Sequence, residues 1–331
     1  MMPNIVVSGT GSYVPDKVLT NEELVKTLAL DGIQSSDEWI VSHTGIRERR
    51  IADKSESTSG LGAIAAARAL EGANLEADEV DLIVCATSIP DMYLPSTACL
   101  IQGKLGANKA VALDVNAACS GFIYALATAY YFLKAGKHRN ALVIGAETYS
   151  RILNWKDRST CVFFGDGAGA VVLQKSNQKG ICEIYLGADG SNGESIHAHA
   201  CGIASHDDGS NARGIGGKFW MNGRQVYDFA IEAFPFAVNT LLEKLGYTVK
   251  DIDLLISHQA NINIIRSSLV TLGLPETKAF INVEKYGNTA AASIPLALDE
   301  AVKAGLAKEG ANVVLVGFGG GLTWGSTLIR F

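Results

Sequence analysis

Residues 111 to 136 read V-A-L-D-V-N-A-A-C-S-G-F-I-Y-A-L-A-T-A-Y-Y-F-L-K-A-G. The opening residues alternate and are β-branched, the pattern of a buried strand. From Cys119 onward apolar side chains recur at helical spacing as far as Lys134, with Gly136 as the stop. Cys119 therefore falls at a strand-to-helix junction. There unpaired backbone N–H groups and the positive end of the helix dipole stabilise an anion, and thiolate is the nucleophilic form of cysteine. Ala117, Ala118, Ser120 and Gly121 are small and let a substrate carbonyl approach the sulfur. From this stretch alone, a small buried hydrophobe explains Cys119 equally well.

Working outward, Asp81-Leu-Ile-Val-Cys-Ala86 is an apolar run of the buried parallel-strand kind, and Asn4 to Gly9 and Asn140 to Ala146 read as further strands. Helices are predicted from Thr20-Asn21-Glu22-Glu23 through Leu30, from Ser35-Ser36-Asp37-Glu38 across Trp39, from Gly60 to Ala73, and from Gly223 to Leu245 with a kink at Pro235. Strands alternating with helices imply an α/β fold. Thr44 to Arg50 reads as a loop whose three arginines are either a solvated cluster or a phosphate or carrier contact. Cys161 to Phe164 and Gly169 to Leu173 read as strands flanking Gly165-Asp166-Gly167, and Gly190 to Gly217 as irregular.

The chain of 331 residues is 48% hydrophobic and 19% charged with a mean hydropathy of +0.17, an ordinary globular composition with ample core. A formal charge of −6 argues against nucleic acid as a general partner. The six cysteines show no C-x-x-C pairing and are expected to be reduced. No apolar run approaches membrane-spanning length, and the N-terminus enters a strand directly, so the protein is expected to be cytoplasmic.

A duplication is visible. Asp81-Leu-Ile-Val-Cys-Ala matches Asp253-Leu-Leu-Ile-Ser-His, and Asn140-Ala-Leu-Val-Ile-Gly145 matches Asn312-Val-Val-Leu-Val-Gly317, both at an offset of 172 (253 minus 81, 312 minus 140). Lys134-Ala-Gly136 matches Lys303-Ala-Gly305 at 169, and that local offset sets Cys119 on Asn288. The strand offset sets His258 on Ala86, at a strand's carboxyl end. Open parallel sheets gather chemistry at such ends, so a paired fold brings Cys119, His258 and Asn288 to one crevice. Taken singly, His258 is also readable as a structural histidine and Asn288 as a helix N-cap. Gly317-Phe318-Gly319-Gly320-Gly321-Leu322-Thr323-Trp324-Gly325 is a turn whose bare backbone can aim N–H groups at a ligand oxygen, or a plain hairpin. Together these residues suit acyl transfer: a thiolate, two side-chain donors and backbone donors for an oxyanion, without a carboxylate to complete a protease-type triad.

The chain resembles the β-ketoacyl-acyl-carrier-protein synthase III family of the thiolase superfamily over nearly its whole length. The markers are Ser36-Asp37-Glu38-Trp39-Ile40 with Thr44-Gly45-Ile46-Arg47-Glu48-Arg49, Ala-Ala-Cys119-Ser-Gly, Phe164-Gly165-Asp166-Gly167-Ala168-Gly169, His258-Gln-Ala-Asn261, Gly287-Asn288-Thr289 and Phe318-Gly-Gly-Gly321-Leu-Thr-Trp-Gly325. The resemblance implies a thiolase-like α/β fold of five layers, αβαβα, with mixed, mostly parallel sheets in two duplicated halves. Residues 1–176 would carry the nucleophile, and residues 177–331 the His and Asn. It implies a homodimer that needs no cofactor beyond its coenzyme A thioester substrate. Cys119 would take an acyl group from acyl-CoA, with the N–H groups of Cys119 and Gly320 as oxyanion hole. His258 and Asn288 would hold the enolate formed when malonyl-acyl carrier protein loses CO₂.

The same resemblance assigns Trp39, Arg158, Gly223 and Asn261 to coenzyme A. It assigns Tyr149, Phe164, Ile196 and Phe219 to the acyl pocket, with Leu94 entering from the partner subunit. His43, Leu94 and Tyr149 depart from the family pattern, and Asn263, Val270 and Thr271 leave Arg266 as the basic residue on a helix that often docks the carrier. Arg224, Lys218 or Arg47 to Arg50 are substitutes for that docking. A synthase priming a polyketide or signal molecule, or a non-decarboxylating acyltransferase, would keep the same residues. Three other readings are weaker. A dinucleotide fingerprint at Gly165 to Ala170 runs on as strand instead of opening a helix. A zinc site at His197-Ala-His199-Ala-Cys201 lacks an evident fourth ligand. A non-catalytic paralogue would not need Cys, His and Asn together.

Overall fold

The computed structural model describes residues 3–198 and 218–331. Two five-stranded sheets are built from one repeated order of elements. The first comprises β1 (Asn4–Tyr13), α1 (Thr58–Ala73), β2 (Leu82–Ala86), α2 (Thr97–Leu105), β3 (Val111–Val115), α3 (Gly121–Ala135), β4 (Asn140–Thr148) and β5 (Asp166–Ser176). The second repeats it as β6 (Ile181–Ala188), α4 (Gly223–Leu245), β7 (Leu254–Ser257), α5 (Ile262–Leu272), β8 (Ala279–Phe280), α6 (Ser293–Lys303), β9 (Asn312–Gly319) and β10 (Thr323–Arg330). Strand orders correspond, β1-β5-β4-β2-β3 and β6-β10-β9-β7-β8. In the first sheet β4, β2 and β3 pair parallel and β5 runs antiparallel between β1 and β4; in the second β9, β7 and β8 pair parallel and β10 runs antiparallel between β6 and β9.

Strand alternation decides which element each face receives. Leu82 and Val84 face a core shared by both sheets and by α3 and α6, where Phe122, Leu126, Ile294 and Leu298 are buried with Ile256 and Val313. Ile83 and Cys85 face outward onto α1 and α2. Leu255 and Val314 do the same onto α4 and α5. The result is five layers, αβαβα. α3 is apolar nearly all round because it has a sheet on either side. Each large side chain in that shared core contributes roughly 2 kcal/mol.

Several expectations change. Cys161 to Phe164 is not a strand: Arg158–Cys161 is a helical turn capped by Asp157, and Phe164 makes only an isolated bridge to Asn288. Glu48–Arg50 is a short strand paired with Val18–Thr20. In it Arg49 is buried, donating to Asn21 Oδ1 at 2.7 Å and Val162 O at 2.8 Å, and burial pulls its guanidinium down to about 10. That arginine is neither solvated nor aimed at a phosphate. Within Gly190 to Gly217, residues 190–195 form a 3-10 segment and Ile196–Ala198 pairs with Phe219–Met221, while 199–217 lie outside the described residues. α4 is one helix, Gly223–Leu245, with Pro235 inside it. Among the described residues no helix is long and apolar enough to cross a membrane. The five described cysteines are unpaired, and Cys201 lies outside them.

Candidate active site

β3 ends at Val115, and the chain passes through Asn116 and Ala117 into a 3-10 turn, Ala118–Ser120, that leads into α3. Ala118 has φ +45°, a left-handed conformation that costs a non-glycine residue roughly 1 kcal/mol or more. Asn116 Oδ1 accepts from Ala118 N at 3.3 Å and holds the turn. The second half has the same device: Asn288 Oδ1 accepts from Ala290 N at 2.8 Å, Ala290 has φ +47°, and the 3-10 turn Ala290–Ala292 opens α6.

The duplication therefore pairs Asn116 with Asn288 and Cys119 with Ala291, at 172. The pairing of Cys119 with Asn288 at 169 is corrected. α6 is shorter than α3, so the three lost residues come out within the helix. They amount to nearly one helical turn, which keeps the buried face in phase.

Cys119 is 9% exposed and packs with Ala290, Tyr149, Phe164 and Phe219. His258 follows β7 and is buried; its Nδ1 lies 2.7 Å from Ser293 Oγ, and Ser293 Oγ donates to Ala290 O at 2.8 Å. Because the serine proton goes to that carbonyl, Nδ1 of the imidazole carries the hydrogen and Nε2 holds a lone pair. Asn288 spends Oδ1 on Ala290 N, so its NH₂ group is the end left for a ligand. Cysteine, histidine and asparagine thus converge around Ala290: Cys119 packs in its cluster, Asn288 bonds it directly, and His258 reaches it through Ser293.

The glycine hairpin between β9 and β10 closes the other side. A Cβ on Gly319 would sit 2.8 Å from Cys119 N, so only glycine fits, and Gly320 lines the cavity in front of Ala118. Ser120 Oγ donates to Thr323 Oγ1 at 2.8 Å, and Thr323 Oγ1 lies 2.8 Å from Gly320 O and 3.2 Å from Ala117 O. Two hydroxyls therefore pin the cysteine turn to the hairpin.

Burial pushes the Cys119 thiol up to about 12 and pulls His258 down to about 3. The helix start, worth at most about 2 kcal/mol, does not outweigh that desolvation. At rest the pair is thiol and neutral imidazole, where position alone suggested a standing thiolate.

A cavity of about 370 Å³ opens here, lined among others by Ser88, Ile89, Ala117, Ala118, Tyr149, Ile196, Phe219 and Gly320. Tyr149 stacks on Phe164 with centroids 4.8 Å apart, and Phe219 meets both rings edge-on. Leu94 is 85% exposed and takes no part in the cavity within this chain. At the proposed nucleotide end, the Arg158 guanidinium lies 4.3 Å from the Trp39 ring centre, and His43 stacks on the same indole at 4.3 Å. Asn261 caps α5 through Oδ1 and donates to His43 O at 2.9 Å, so its carboxamide is already engaged. Gly223 is exposed at the start of α4. Arg266 is held by Glu276 at 3.0 Å, and Arg224 by Asp228 at 2.9 Å. His199 and Cys201 of the suggested zinc triad lie outside the described residues, and among the described residues no cluster of three metal-ligating side chains occurs.

Sequence reasoning missed Ser293 and Asn116. The 172 offset, carried through Asn288, would have found Asn116. Nothing local marks Ser293.

A doubled αβαβα fold with these three side chains at facing helix starts defines a thiolase-fold protein. Residues 113–190 match the family model for 3-oxoacyl-acyl-carrier-protein (ACP) synthase III, and residues 242–331 match the model for its C-terminal part. A β-ketoacyl-acyl-carrier-protein synthase III of Clostridium acetobutylicum is 48% identical over 331 residues, 100% of this chain and 99% of the relative. The crystal structure of 3-oxoacyl-acyl-carrier-protein synthase III from Aquifex aeolicus VF5 superposes with a TM-score of 0.91 at 45% identity, covering 99% of this chain and 100% of that one. The priming β-ketosynthase of the R1128 polyketide pathway matches with a TM-score of 0.90 at 35% identity, over 99% and 97%. The chain belongs to the β-ketoacyl-acyl-carrier-protein synthase III family of condensing acyltransferases. Full-length relatives at 48% and 49% identity that are named as the synthase favour the fatty-acid role.

Proposed function

We propose that the chain condenses an acyl-CoA primer, acetyl-CoA or a similar short thioester, with malonyl-acyl carrier protein, initiating fatty-acid synthesis in the cytoplasm without a cofactor. The observation that carries this reading is the convergence of Cys119, His258 and Asn288 on Ala290. Cys119 gives up its proton as its sulfur attacks the thioester carbonyl, and the neutral Nε2 of His258 is the acceptor. The N–H groups of Cys119 and Gly320 meet the oxyanion, and the proton leaves on the coenzyme A sulfur. In the second half-reaction the malonyl thioester loses CO₂. Its enolate oxygen takes hydrogen bonds from Asn288 Nδ2 and from Nε2–H of His258, in the tautomer reached between the half-reactions when water gives a proton to Nε2 and takes the one on Nδ1, which then accepts from the Ser293 hydroxyl. The carbanion then attacks the acyl-cysteine.

Division of the chain into halves at 1–176 and 177–331 assigns the nucleophile to one copy and the enolate donors to the other. Trp39, Arg158, Gly223 and Asn261 hold coenzyme A. Tyr149, Phe164, Ile196 and Phe219 line the acyl pocket, and Leu94 of a second copy completes it in a homodimer. Carrier docking relies less on α5, whose Arg266 is already paired, than on Lys218 or Arg47.

The test is mass spectrometry of Cys119 after incubation with a panel of acyl-CoAs, followed by release of ¹⁴CO₂ from labelled malonyl-carrier. The expected result is an acyl adduct at Cys119, lost in Cys119→Ala, and then CO₂ release. Loading without CO₂ release would replace this reading with a non-decarboxylating acyltransferase.

A further inference from the structure

The cysteine turn and the glycine hairpin come from different halves of the chain, yet their backbones touch. A Cβ on Gly317 would sit 3.1 Å from Ser120 Cα, and one on Gly319 would sit 2.8 Å from Cys119 N. The other half repeats the approach: Gly145, at 317 minus 172, would place a Cβ 3.2 Å from Ala292 Cα, and 292 is 120 plus 172. The fold needs the close backbone contact in both places.

The side chains at the two contacts differ. On the cysteine side Ser120 meets Thr323, whose backbone pairs with Gly319. The matching positions are Ala292 and Gly167, the latter paired with Glu147 at 319 minus 172. Neither carries a hydroxyl. Two hydroxyls are therefore not required to join such a turn to the facing strand pair, and they occur where the nucleophile is.

Each hydroxyl has one proton to give. Ser120 Oγ lies 2.8 Å from Thr323 Oγ1 and 2.8 Å from Ala117 O, while Thr323 Oγ1 lies 2.8 Å from Gly320 O and 3.2 Å from Ala117 O. The contact between the two oxygens takes one proton. If Thr323 supplied it, the carbonyl of the buried Gly320 would lose its Thr323 donor, whereas Ala117 O already accepts from Ser120 N at 3.2 Å. The protons therefore run from Ser120 to Thr323 to Gly320 O. Gly320 lies between two glycines and has no side chain to fix its own backbone. Thr323 clamps it from both sides: its backbone pairs with Gly319, and its hydroxyl holds the Gly320 carbonyl. The Gly320 N–H lies between those two attachments.

We propose that Ser120 and Thr323 are positioning residues of the oxyanion hole, a hydroxyl relay that holds the Gly320 N–H in register with the Cys119 N–H. The inference rests on the reading of Cys119 as the acylated nucleophile with those two N–H groups as its oxyanion donors. As the sulfur bonds to the thioester carbon, the C=O π pair moves onto oxygen, and it returns when the bond to the coenzyme A sulfur breaks. Donors already aimed at that oxygen lower the barrier. One donor comes from each half, so their spacing depends on how the turn is joined to the hairpin, and the relay makes that join. Ser120 is fully buried and acts only through Thr323.

The test compares two reactions of Cys119 in the full chain, both followed by mass spectrometry. Acyl uptake from saturating acetyl-CoA builds an oxyanion; alkylation by iodoacetamide displaces iodide from a saturated carbon and builds none. Thr323→Val should slow acyl uptake about tenfold or more and leave alkylation within about twofold, a partial form of the roughly 10²–10³-fold loss seen when an oxyanion donor is removed. Thr323→Ser, which keeps the hydroxyl, should recover most of the acyl rate. Ser120→Ala should slow acyl uptake less than Thr323→Val does. The double variant should be no slower than Thr323→Val alone, since a relay broken once is not broken again. Acyl uptake at the unsubstituted rate in Ser120→Ala and Thr323→Val overturns the inference. So does an equal loss in both reactions, which would mean that the hydroxyls place the sulfur or hold the fold. Ser120→Ala deletes a single oxygen, so the comparison survives failure of the valine variant to fold. Absence of any acyl adduct in the unsubstituted protein, with alkylation intact, would instead remove the reading beneath the inference, and it is seen before any variant is made.

Discussion

Ala118 and Ala290 hold the same left-handed backbone, φ +45° and +47°, at positions 172 apart (290 minus 118), each capped by an asparagine two residues before it. A doubled unit has kept its strained turn in both copies and put different chemistry on it. In the first copy the turn carries Cys119; in the second, on the proposed mechanism, the capping asparagine itself is the functional group. Substitution at Ala290 tests whether the strain matters. Ala290→Gly should leave thermal stability within about 1 kcal/mol, since glycine accepts φ above zero but loses more backbone entropy. Ala290→Val should cost more than about 2 kcal/mol, because a β-branched side chain is poorly accommodated there. Equal melting temperatures for the Gly and Val variants would show the turn to be unstrained.

The buried imidazole of His258 sets a pH dependence of stability whose sign follows from its depressed pKa. The unfolded chain takes up a proton below the ordinary histidine value near 6.5, while the folded chain refuses it until about 3. Stability from this group is full above 6.5 and falls as pH drops through that window, at up to about 1.4 kcal/mol per pH unit. Urea unfolding at pH 7 and near pH 5 should show the unsubstituted protein losing about 2 kcal/mol more than His258→Gln does. A constant difference between the two proteins would mean that His258 titrates normally in the native state.

Ser293 is the pivot between His258 and Ala290, and its removal strands both partners. Loss of a buried hydrogen-bond partner costs roughly 1–3 kcal/mol. Ser293→Ala should lower kcat for CO₂ release by about tenfold or more and leave KM for the malonyl thioester nearly unchanged, since the bond orients the imidazole and does not touch substrate. Ser293→Thr, which keeps the hydroxyl, should recover most of it. A rise in KM at constant kcat would move Ser293 from tautomer control to substrate binding.

Much of the fold was legible because periodicity and duplication are local signals. The runs at Asp81 and Asp253, and the small-residue junction at Cys119, announce buried strands and a helix start without any tertiary knowledge. What failed, failed for tertiary reasons. Cys161 to Phe164 has strand-like composition, but Asp157 caps a turn there and Phe164 is drawn to Asn288. Arg49 looked like one of three surface charges, yet carbonyls thirty and more residues away on the chain satisfy it in the core. The thiolate expected from the helix start ignored desolvation, which only packing reveals. Ser293 carries no motif, because a positioning residue is defined by what it touches.

On the function proposed above, Tyr149 sets the depth of the acyl pocket. Its ring lies within 10° of parallel to Phe164, and Phe219 closes the third side, so three aromatic rings pack in one cluster with Cys119. A primer longer than a few carbons must displace this ring at the cost of stacking worth about 1 kcal/mol and of its buried area. Tyr149→Leu removes the far half of the ring while keeping an apolar wall. The expected outcome is an acyl adduct at Cys119 from six- and eight-carbon acyl-CoAs at about tenfold or more the unsubstituted rate, with acetyl uptake reduced less than that, since a few methylenes are worth about 1–3 kcal/mol in such a pocket. An unchanged chain-length profile, read by mass spectrometry of Cys119, would place the floor of the pocket at Phe219 or Ile196 instead.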